Sequence, residues 1–351
     1  MPLPSLYDRW MHEMLGPVPD EPLATCSACP MSEPDVPLPA ELRFDATVKC
    51  CTYLPELPNF LVGLALDDPS PDGAVGRQSL RERIQRLSGV SPLGVRMAPL
   101  YELLYERTTS LRRGGTFGRA TGLRCPHYVE PTGSCGIWKF RNAVCATWFC
   151  RHERGNVGLA FWTAMRNLLR LVEEEVALWS ALHLGVGAGE LRAVLEHQRL
   201  TVDERMGSEL VDGPDIGRYW GAWDEEIATS FFVESGRLVS GMEWGQVLEA
   251  SGPRILMAQG DVQERYAAVV RRAEVSDQLI MENFRVSSLR HGTALLHGYS
   301  AMDPVALPSA ALEALAAPNE RVEAARLREA GMDDATIRML LDHTILRPSS
   351  E

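Results

Sequence analysis

Eight cysteines, all in the first 150 residues, constrain this chain more than any other feature of its sequence. Four lie in RCPHYVEPTGSCGIWKFRNAVCATWFCRHERG (124–155), and four lie upstream in CSAC and KCC. None follows the last of them, although 201 residues remain. Such crowding indicates a shared ligand, because thiolates hold structural zinc and iron–sulfur clusters. The candidate ligands for a metal or cofactor are Cys26, Cys29, Cys50, Cys51, Cys125, Cys135, Cys145 and Cys150.

Composition limits the compartment and the class of partner. No apolar run approaches 18 residues, and the N-terminal sequence lacks the pattern of a signal peptide, so we expect a cytoplasmic protein with no membrane span and with reduced thiols. Residues 1–154 carry 17 acidic and 17 basic side chains, whereas residues 155–351 carry 30 and 18. The net charge of −12 therefore belongs to the cysteine-free part, and it argues against nucleic-acid binding.

The pattern of segments predicts a mainly α protein of the α+β type, with three units. Residues 1–155 form an irregular cysteine-cluster domain, residues 156–280 a helical domain, and residues 281–351 a small C-terminal module. In the first unit, proline-rich stretches predict loops, and only residues 77–87 and 99–113 have helical character. A bound metal would then staple a unit with a weak core, because metal binding contributes to folding free energy.

Two apolar stripes predict the core of the helical domain. The first begins after Asn156, a candidate N-cap, and the second has a period of four residues; core packing is the favoured interpretation of both. The first stripe comprises Phe161, Met165, Leu168, Val172, Val176 and Trp179, and the second comprises Tyr219, Trp223, Ile227 and Phe231.

The last 70 residues change character again. FRVSSL and TALLHGY predict short strands, followed by helices near 308–317, 320–330 and 333–342. This order resembles the small winged-helix domains of the PqqD-like, peptide-recognising type. The alternative is a helical appendage that packs on the bundle.

The cysteine spacing resembles that of a known family. The chain has, in order, CxxC, CC, Cys-Pro, Gly-x-Cys-x-Ile-aromatic and Cys145-x4-Cys150. This order resembles that of the YkgJ-like cysteine-cluster domains, which are described as zinc- or iron-chelating. The resemblance covers roughly residues 24–152. Two departures lie between the ligands: a proline-rich insert at 30–49, and Arg141-Asn142 where the family has Arg-Pro. They leave the ligand set intact and affect its local geometry.

The identity of the bound metal stays open at this point. Adjacent cysteines in an extended chain point to opposite faces, so Cys50 and Cys51 either sit in a turn and bridge two sites, or one of them is not a ligand. Eight thiolates can bind two zinc ions, two 4Fe–4S clusters, or one cluster with spare thiols, and disulfides are a further alternative. The flagellin lysine methylases carry a similar cysteine domain and are thought to use a cluster, so the resemblance favours 4Fe–4S over zinc.

Other polar residues near the cysteines have secondary roles in this interpretation. His127 and His152 could bind a metal, but eight cysteines suffice, so we expect these histidines to support the site or lie on the surface. Five basic side chains either offset thiolate charge or form a solvated surface. They are Lys49, Arg124, Arg141, Arg151 and Arg154.

Three further patterns have structural interpretations. RRGGTFGRATG (112–122) lacks the lysine and spacing of a phosphate-binding loop and predicts a hairpin or hinge. GVGAG (185–189) follows a helix rather than a strand and predicts a helix stop and restart. Glu173-Glu174-Glu175 predicts a solvated helix face.

Three functions fit these observations. A catalytic or redox-active cluster could serve a protein or peptide partner bound elsewhere on the chain. Alternatively, a structural zinc site could support an acidic helical interaction surface, or the protein could deliver or sense metal. Whether the chain is an enzyme stays open. A cavity beside the metal separates the first function from the second, because structural sites are closed by four ligands.

Overall fold

A computed structural model gives the fold of the chain. It describes residues 2–23, 26, 28–34, 38–87, 89–111, 116–199, 224–272, 274–290, 292–315 and 320–349. Within these ranges the protein is mainly α-helical with small antiparallel sheets, as the sequence predicts.

The described helices range from single turns to one of 29 residues. They are α1 Ser5–Leu15, α2 Asn59–Asp67, α3 Ala74–Gln85, α4 Pro99–Leu111, α5 Ala143–Thr147, α6 Gly155–His183, α7 Ala188–Arg199, α8 Glu225–Ser240, α9 Trp244–Ala250, α10 Arg254–Val270, α11 Ala324–Glu329 and α12 Asp334–Asp342. Of the helices in the described ranges, none combines the length and apolarity needed to cross a bilayer.

The strands form four small antiparallel sheets in the described part of the chain. The sheet orders are β1-β3-β2, β4-β5, β7-β8-β9 and β10-β6-β11. The strands are β1 Leu57–Pro58, β2 Val90–Ser91, β3 Gly94–Val95, β4 Tyr128–Val129, β5 Ser134–Cys135, β6 Gln278–Met281, β7 Arg285–Arg290, β8 Thr293–His297, β9 Val305–Pro308, β10 Arg321–Glu323 and β11 Leu346–Pro348.

The N-terminal part has more regular structure and a stronger core than its sequence predicts. Helices α3 and α4 match the predicted segments within a few residues, but α1, α2 and α5 are additional. Helix α2 is buried on nearly every side, so its apolar residues show no helical period. Helix α1 follows a proline-rich start and fully buries Tyr7, Trp10 and Met11. The expectation of a weak core in this part was therefore wrong.

Helix α6 carries the first apolar stripe, and the predicted packing is confirmed. Its residues are buried from Phe161 to Val176, and Trp179 packs half-buried at the end. The helix begins at Gly155 rather than after an Asn156 cap. Gly155 has φ +46°, and a Cβ there would lie 2.5 Å from the carbonyl oxygen of Asp342. A contact with the C-terminal module therefore sets this helix start.

Two other predictions for the helical region have different outcomes. The stop and restart at 185–189 is confirmed, because α6 ends at His183 and α7 begins at Ala188. In the second stripe, Tyr219 and Trp223 lie outside the described residues. Ile227 is 48% exposed, so its predicted core role was wrong. The neighbouring face of α8, including Phe232, is buried instead.

That buried face of α8 packs closely on α2 through two glycines. A Cβ at Gly63 would lie 1.7 Å from the Phe232 carbonyl oxygen, and a Cβ at Gly236 would lie 2.7 Å from the Leu64 nitrogen. The helix backbones therefore touch, which explains why the contact face is set by small residues rather than by the aromatic stripe.

The described residues contain two large hydrophobic cores. One runs from Leu3 to Val269 and takes side chains from both sides of the boundary expected at 155/156. The other runs from Leu279 to Leu346 and belongs to the C-terminal module. Whether residues 1–155 and 156–280 unfold separately stays a prediction, but they share one core.

The C-terminal module contains the two predicted strands, now β7 and β8, and begins slightly earlier than expected, with β6 at Gln278. The segment predicted as a helix near 308–317 is a 3₁₀ helix, Ser309–Ala314. The other two predicted helices are α11 and α12. Two three-stranded sheets and these helices enclose the module's own core.

The close packing of α2 on α8 makes a testable prediction. Gly63→Ala places a methyl group against backbone that cannot rotate away, so we expect a loss of about 2–3 kcal/mol in unfolding free energy. Gly245→Ala, in α9 with nothing within 4 Å of the new Cβ, is the control. It should be neutral or stabilise by up to about 1 kcal/mol. Equal stability of the two variants in urea denaturation would contradict this packing.

Candidate metal centre

A tight turn presents the adjacent cysteines. Residues 46–52 are in turn conformation, with Lys49 at φ +50° and its N–H donating to the Asp45 carbonyl at 2.8 Å. The sequence left two alternatives for Cys50 and Cys51: the pair sits in a turn and bridges two sites, or one of them is not a ligand. The structure places both in a turn, and whether both are ligands stays a prediction. A turn frees the pair from the opposed directions that an extended strand would impose.

Lys49 also ties this turn to two other cysteine segments. Its ammonium group donates to the Cys26 carbonyl, and to the Gly133 carbonyl at 2.9 Å. Gly133 has φ +61°, and a Cβ there would lie 2.7 Å from the Lys49 Nζ, so a side chain at this position would be strained and would displace the ammonium group. One cation therefore joins the segments that carry Cys26, Cys50 and Cys135.

The downstream half of the centre starts in a hairpin. Cys135 lies on β5 opposite Tyr128 of β4. The Cys125 N–H, just before β4, donates to the Cys51 carbonyl at 2.8 Å. This bond joins the two halves of the sequence pattern across residues 52–124 and confirms that they meet in space.

Helix α5 carries Cys145, and a side-chain cap fixes its start. Asn142 is the N-cap, and its side chain accepts from the Cys145 N–H at 3.0 Å. Arg141 is buried, lies 3.6 Å from the Trp138 ring centroid, and donates to the Pro2 carbonyl at 2.9 Å.

Glu173 of α6 contacts the start of α5, although the sequence predicted that it lies on a solvated helix face. That prediction was wrong for Glu173, which is buried. Its Oε1 accepts from the Ala143 N–H at 2.6 Å and from the Tyr7 hydroxyl. Glu173 thus satisfies a free N–H in the first turn of the helix that carries Cys145. Burial raises the pKa of Glu173 to about 8.

The thiols of the two halves gather in one interior region. Six of them line a common cavity of about 40 Å³: Cys26, Cys29, Cys50, Cys51, Cys135 and Cys150. The other two are electrostatically coupled to this group, Cys125 to Cys135 and Cys50, and Cys145 to the same two and to Cys125. All eight are free thiols, so the disulfide alternative has no support in the fold.

Six of the thiols have raised pKa values, which favour their neutral form: Cys26, Cys50, Cys125, Cys135, Cys145 and Cys150. Burial raises the pKa of Cys125 to about 12, that of Cys135 to about 11 and that of Cys150 to about 12. A hydrogen bond with Cys50, followed by burial, raises the pKa of Cys26. For Cys50 the bond with Cys26 lowers the pKa, but the bond with Cys51 and burial outweigh it. The thiol of Cys50 therefore lies in hydrogen-bonding contact with those of Cys26 and Cys51.

Their chemistry fits a thiophilic metal, although they do not already form a ligand sphere. Among the described residues, no three Cys, His, Asp or Glu side chains stand ready to hold one ion. Buried thiolates need a positive charge to offset the loss of water, and a sulfur-only donor set selects zinc or iron–sulfur. Side-chain rotation would have to bring the ligands together.

The two histidines lie inside the protein, so their surface alternative is excluded. His127 is fully buried, and its Nδ1 lies 2.6 Å from the Ser79 hydroxyl. Burial lowers the pKa of His127 to about 3. His152 is also buried, and its Nδ1 lies 3.1 Å from the Tyr299 hydroxyl. Neither histidine lines the cavity between the thiols.

The five basic residues near the cysteines divide into two groups. Lys49 and Arg141 contact the cysteine segments directly, as described above. Arg151 is buried beside Cys150. Arg124 pairs with Glu130 on the surface at 3.0 Å, and Arg154 pairs with Asp342 of the C-terminal module at 2.7 Å. In the glycine-rich segment predicted as a hairpin or hinge, residues 112–115 lie outside the described residues.

A larger cavity, of about 800 Å³, lies beside the thiol group. Cys26 and Cys135 border both cavities. Its walls include Trp138, Phe140 and a rim of polar residues such as Asp68. Nothing in the sequence pattern identified this cavity, because its lining comes from segments that are distant in the chain.

Comparison with known proteins adds no relative to this picture. A scan against protein-family models, a search of curated proteins and a search of solved structures each found no match to this chain.

The contact between Glu173 and α5 makes a prediction about stability. Glu173→Gln keeps an oxygen that can accept from both Ala143 and Tyr7, whereas Glu173→Ala leaves both donors buried without a partner. At pH 6 we expect Glu173→Ala to lower the unfolding free energy by about 2–4 kcal/mol and Glu173→Gln to lower it by about 1 kcal/mol or less. A glutamine variant as unstable as the alanine variant would contradict this role.

The raised pKa of Glu173 also predicts a pH dependence. The folded protein keeps this proton between pH 4.5 and about 8, where the unfolded chain releases it. The unfolded state then binds fewer protons, so the Glu173 contribution to stability falls as pH rises through that window. Urea unfolding at pH 5.5 and pH 8 should show a smaller decrease for Glu173→Gln than for wild type. Identical decreases would show that Glu173 has an ordinary pKa.

Proposed function

We propose that the eight cysteines hold a metal cofactor, in first place a 4Fe–4S cluster, and that the centre serves the modification of, or redox interaction with, a protein or peptide partner. The observation that carries this proposal is the gathering of eight free thiols, each buried or half-buried, in one region with a cavity of about 800 Å³ beside them. A closed structural site needs no such cavity, whereas a reactive centre needs access for its partner.

The residues that would hold the cofactor are those at the cavity between the thiols, with Cys125 and Cys145 adjacent to them. A cluster would supply electron transfer or a Lewis-acidic iron. The surrounding protein would contribute cations: Lys49 and the buried Arg141 offset the charge of thiolate ligands. Trp138 and Phe140 would exclude water on the side of the large cavity.

The resemblance to YkgJ-like domains supports the choice of metal class. It rests on cysteine order, on the glycine before Cys135 and on the arginine before Cys145. The comparison with flagellin lysine methylases favours the cluster and a protein substrate. The winged-helix comparison for the C-terminal module would add a site for peptide recognition. These two assignments rest on sequence resemblance alone.

A structural zinc site is the second candidate, and the small volume between the thiols favours it. The space between the thiols is about 40 Å³. A single zinc ion fits such a space with less side-chain movement than a four-iron cluster does. In that case the acidic helical region would be the functional surface.

Metal analysis of anaerobically purified protein tests the proposal directly. An iron–sulfur cluster gives brown protein with broad absorption near 400 nm and about equal amounts of iron and sulfide. Colourless protein with stoichiometric zinc would select the second candidate. Protein without metal after preparation with iron, sulfide and zinc supplied would overturn both.

Cysteine variants test whether both halves of the pattern bind the same centre. Serine at Cys29, Cys50, Cys135 or Cys150 should each lower the bound metal per folded protein at least about twofold, because each removes a thiolate. His127→Ala is the control, since His127 does not line the cavity between the thiols. Equal metal loss in His127→Ala, with a normal circular dichroism spectrum, would make His127 a ligand.

The role of the large cavity is testable without knowing the partner. Val75 lines this cavity and is 39% exposed, so Val75→Trp should obstruct it. We expect metal loss to a chelator, and cluster bleaching by ferricyanide, to slow severalfold in Val75→Trp. Val270→Trp, at an exposed position of α10 away from the cavity, should leave both rates unchanged. Unchanged rates in Val75→Trp would show that this cavity does not give access to the centre.

A further inference from the structure

A further cavity, of about 440 Å³, lies where the segment after the last cysteine meets the C-terminal module. Residues 151–154 form one wall, residues 303–306 a second, and the end of α12 a third. Its volume is that of a site for a small molecule. Neither the cysteine pattern nor the proposed metal centre accounts for it.

The floor of this cavity is a buried network centred on Asp303. Its carboxylate oxygen Oδ2 accepts from the His152 N–H at 3.1 Å and from the Tyr299 hydroxyl, and lies 3.5 Å from His343 Nε2. His343 Nδ1 in turn lies 2.9 Å from the Met339 carbonyl. Residues from three chain segments therefore hold this side of the cavity in place through hydrogen bonds.

The carboxylates in the lining are largely neutralised by the protein itself. The Asp303 carboxylate accepts from His152 and Tyr299 and lies beside His343 in the network just described. Asp342 pairs with Arg154 through two contacts, Nε to Oδ2 at 2.7 Å and Nη2 to Oδ1 at 3.1 Å. Two fork-to-fork contacts of this kind satisfy both partners. Of the three carboxylates in the lining, only that of Glu153 lacks such a match in the described residues.

Two arginines of the lining keep donors for a ligand. Arg272 is exposed and makes no contact with a carboxylate in the described part of the chain. Arg338 reaches Asp334 only at 3.9 Å, whereas Arg328 holds the same carboxylate at 2.8 Å. The guanidinium groups of Arg272 and Arg338 are therefore available at the mouth of the cavity.

The positive charge of these two arginines contrasts with the acidic character of the surrounding part of the chain. Residues 155–351 carry 30 acidic and 18 basic side chains, so their general surface repels anions. The lining also contains apolar side chains, Val305, Ala306 and Leu341. An anionic group held by the arginines and an apolar body against these side chains would complement the lining.

We propose that this cavity binds a small organic molecule that carries an oxyanion, either a phosphate or a carboxylate. Guanidinium groups recognise both through paired N–H donors. The proposal is independent of the metal centre, because it uses none of the eight cysteines.

Titration calorimetry of the full chain with phenyl phosphate, benzoate and inorganic phosphate tests the proposal. Benzyl alcohol, which has the apolar body without the charge, is the control probe, and ionic strength is held constant with sodium chloride. We expect millimolar or tighter binding of at least one anion and at least roughly tenfold weaker binding of the alcohol. Tighter phenyl phosphate than benzoate binding selects the phosphate class, and the reverse selects the carboxylate class.

Charge removal then locates the site. The double variant Arg272→Ala/Arg338→Ala should weaken anion binding roughly tenfold or more. The matched control, Arg237→Ala/Arg265→Ala, removes two exposed arginines from α8 and α10 that do not line the cavity, and should bind as wild type does. Histidine ring signals of His152 and His343 in labelled protein should shift on binding. The proposal is overturned if no anion binds at 10 mM, or if both double variants bind alike.

Discussion

The gathering of eight buried or half-buried thiols in one region is the constraint on which the rest of this structure depends. A neutral thiol packs as a small apolar group, but a thiolate without a counter-charge is costly away from water. The raised pKa values of Cys125, Cys135 and Cys150 express that cost. The turn at Lys49, the β4–β5 hairpin and helix α5 each deliver cysteines to this region while keeping backbone polar groups paired.

The long helix α6 is part of this arrangement rather than a separate bundle element. Glu173 extends from α6 to the first turn of α5 and also accepts from Tyr7 of α1. A carboxyl group that links three elements around a cysteine-bearing helix makes the helical region a support for the centre. The common core from Leu3 to Val269 also links α6 to the cysteine segments, because side chains of both pack in the same core.

The sequence predicted those features that depend on local pattern, and missed those that depend on tertiary contact. The period of Phe161 to Val176 predicted the buried face of α6, and cysteine order predicted that two distant segments meet. Helix α2 escaped prediction because burial on all sides removes its period. Ile227 was assigned to the core from its four-residue spacing, but Gly236 allows closer packing on the adjacent face. Glu173 looks like part of a charge run until Tyr7 and Ala143 are seen beside it.

Residues 151–154 connect the cysteine cluster to the C-terminal module, and contacts to the module hold them at both His152 and Arg154. Cys150 lines the cavity between the thiols, His152 is bonded to Asp303, and Arg154 is bonded to Asp342. Immediately afterwards, Gly155 lies so close to the Asp342 carbonyl that a side chain would not fit. A shift of Cys150 would therefore have to displace two buried polar contacts of the module, and a shift of the module would have to displace Cys150. The C-terminal module thus helps to position Cys150 within the cysteine cluster, although it supplies no cysteine.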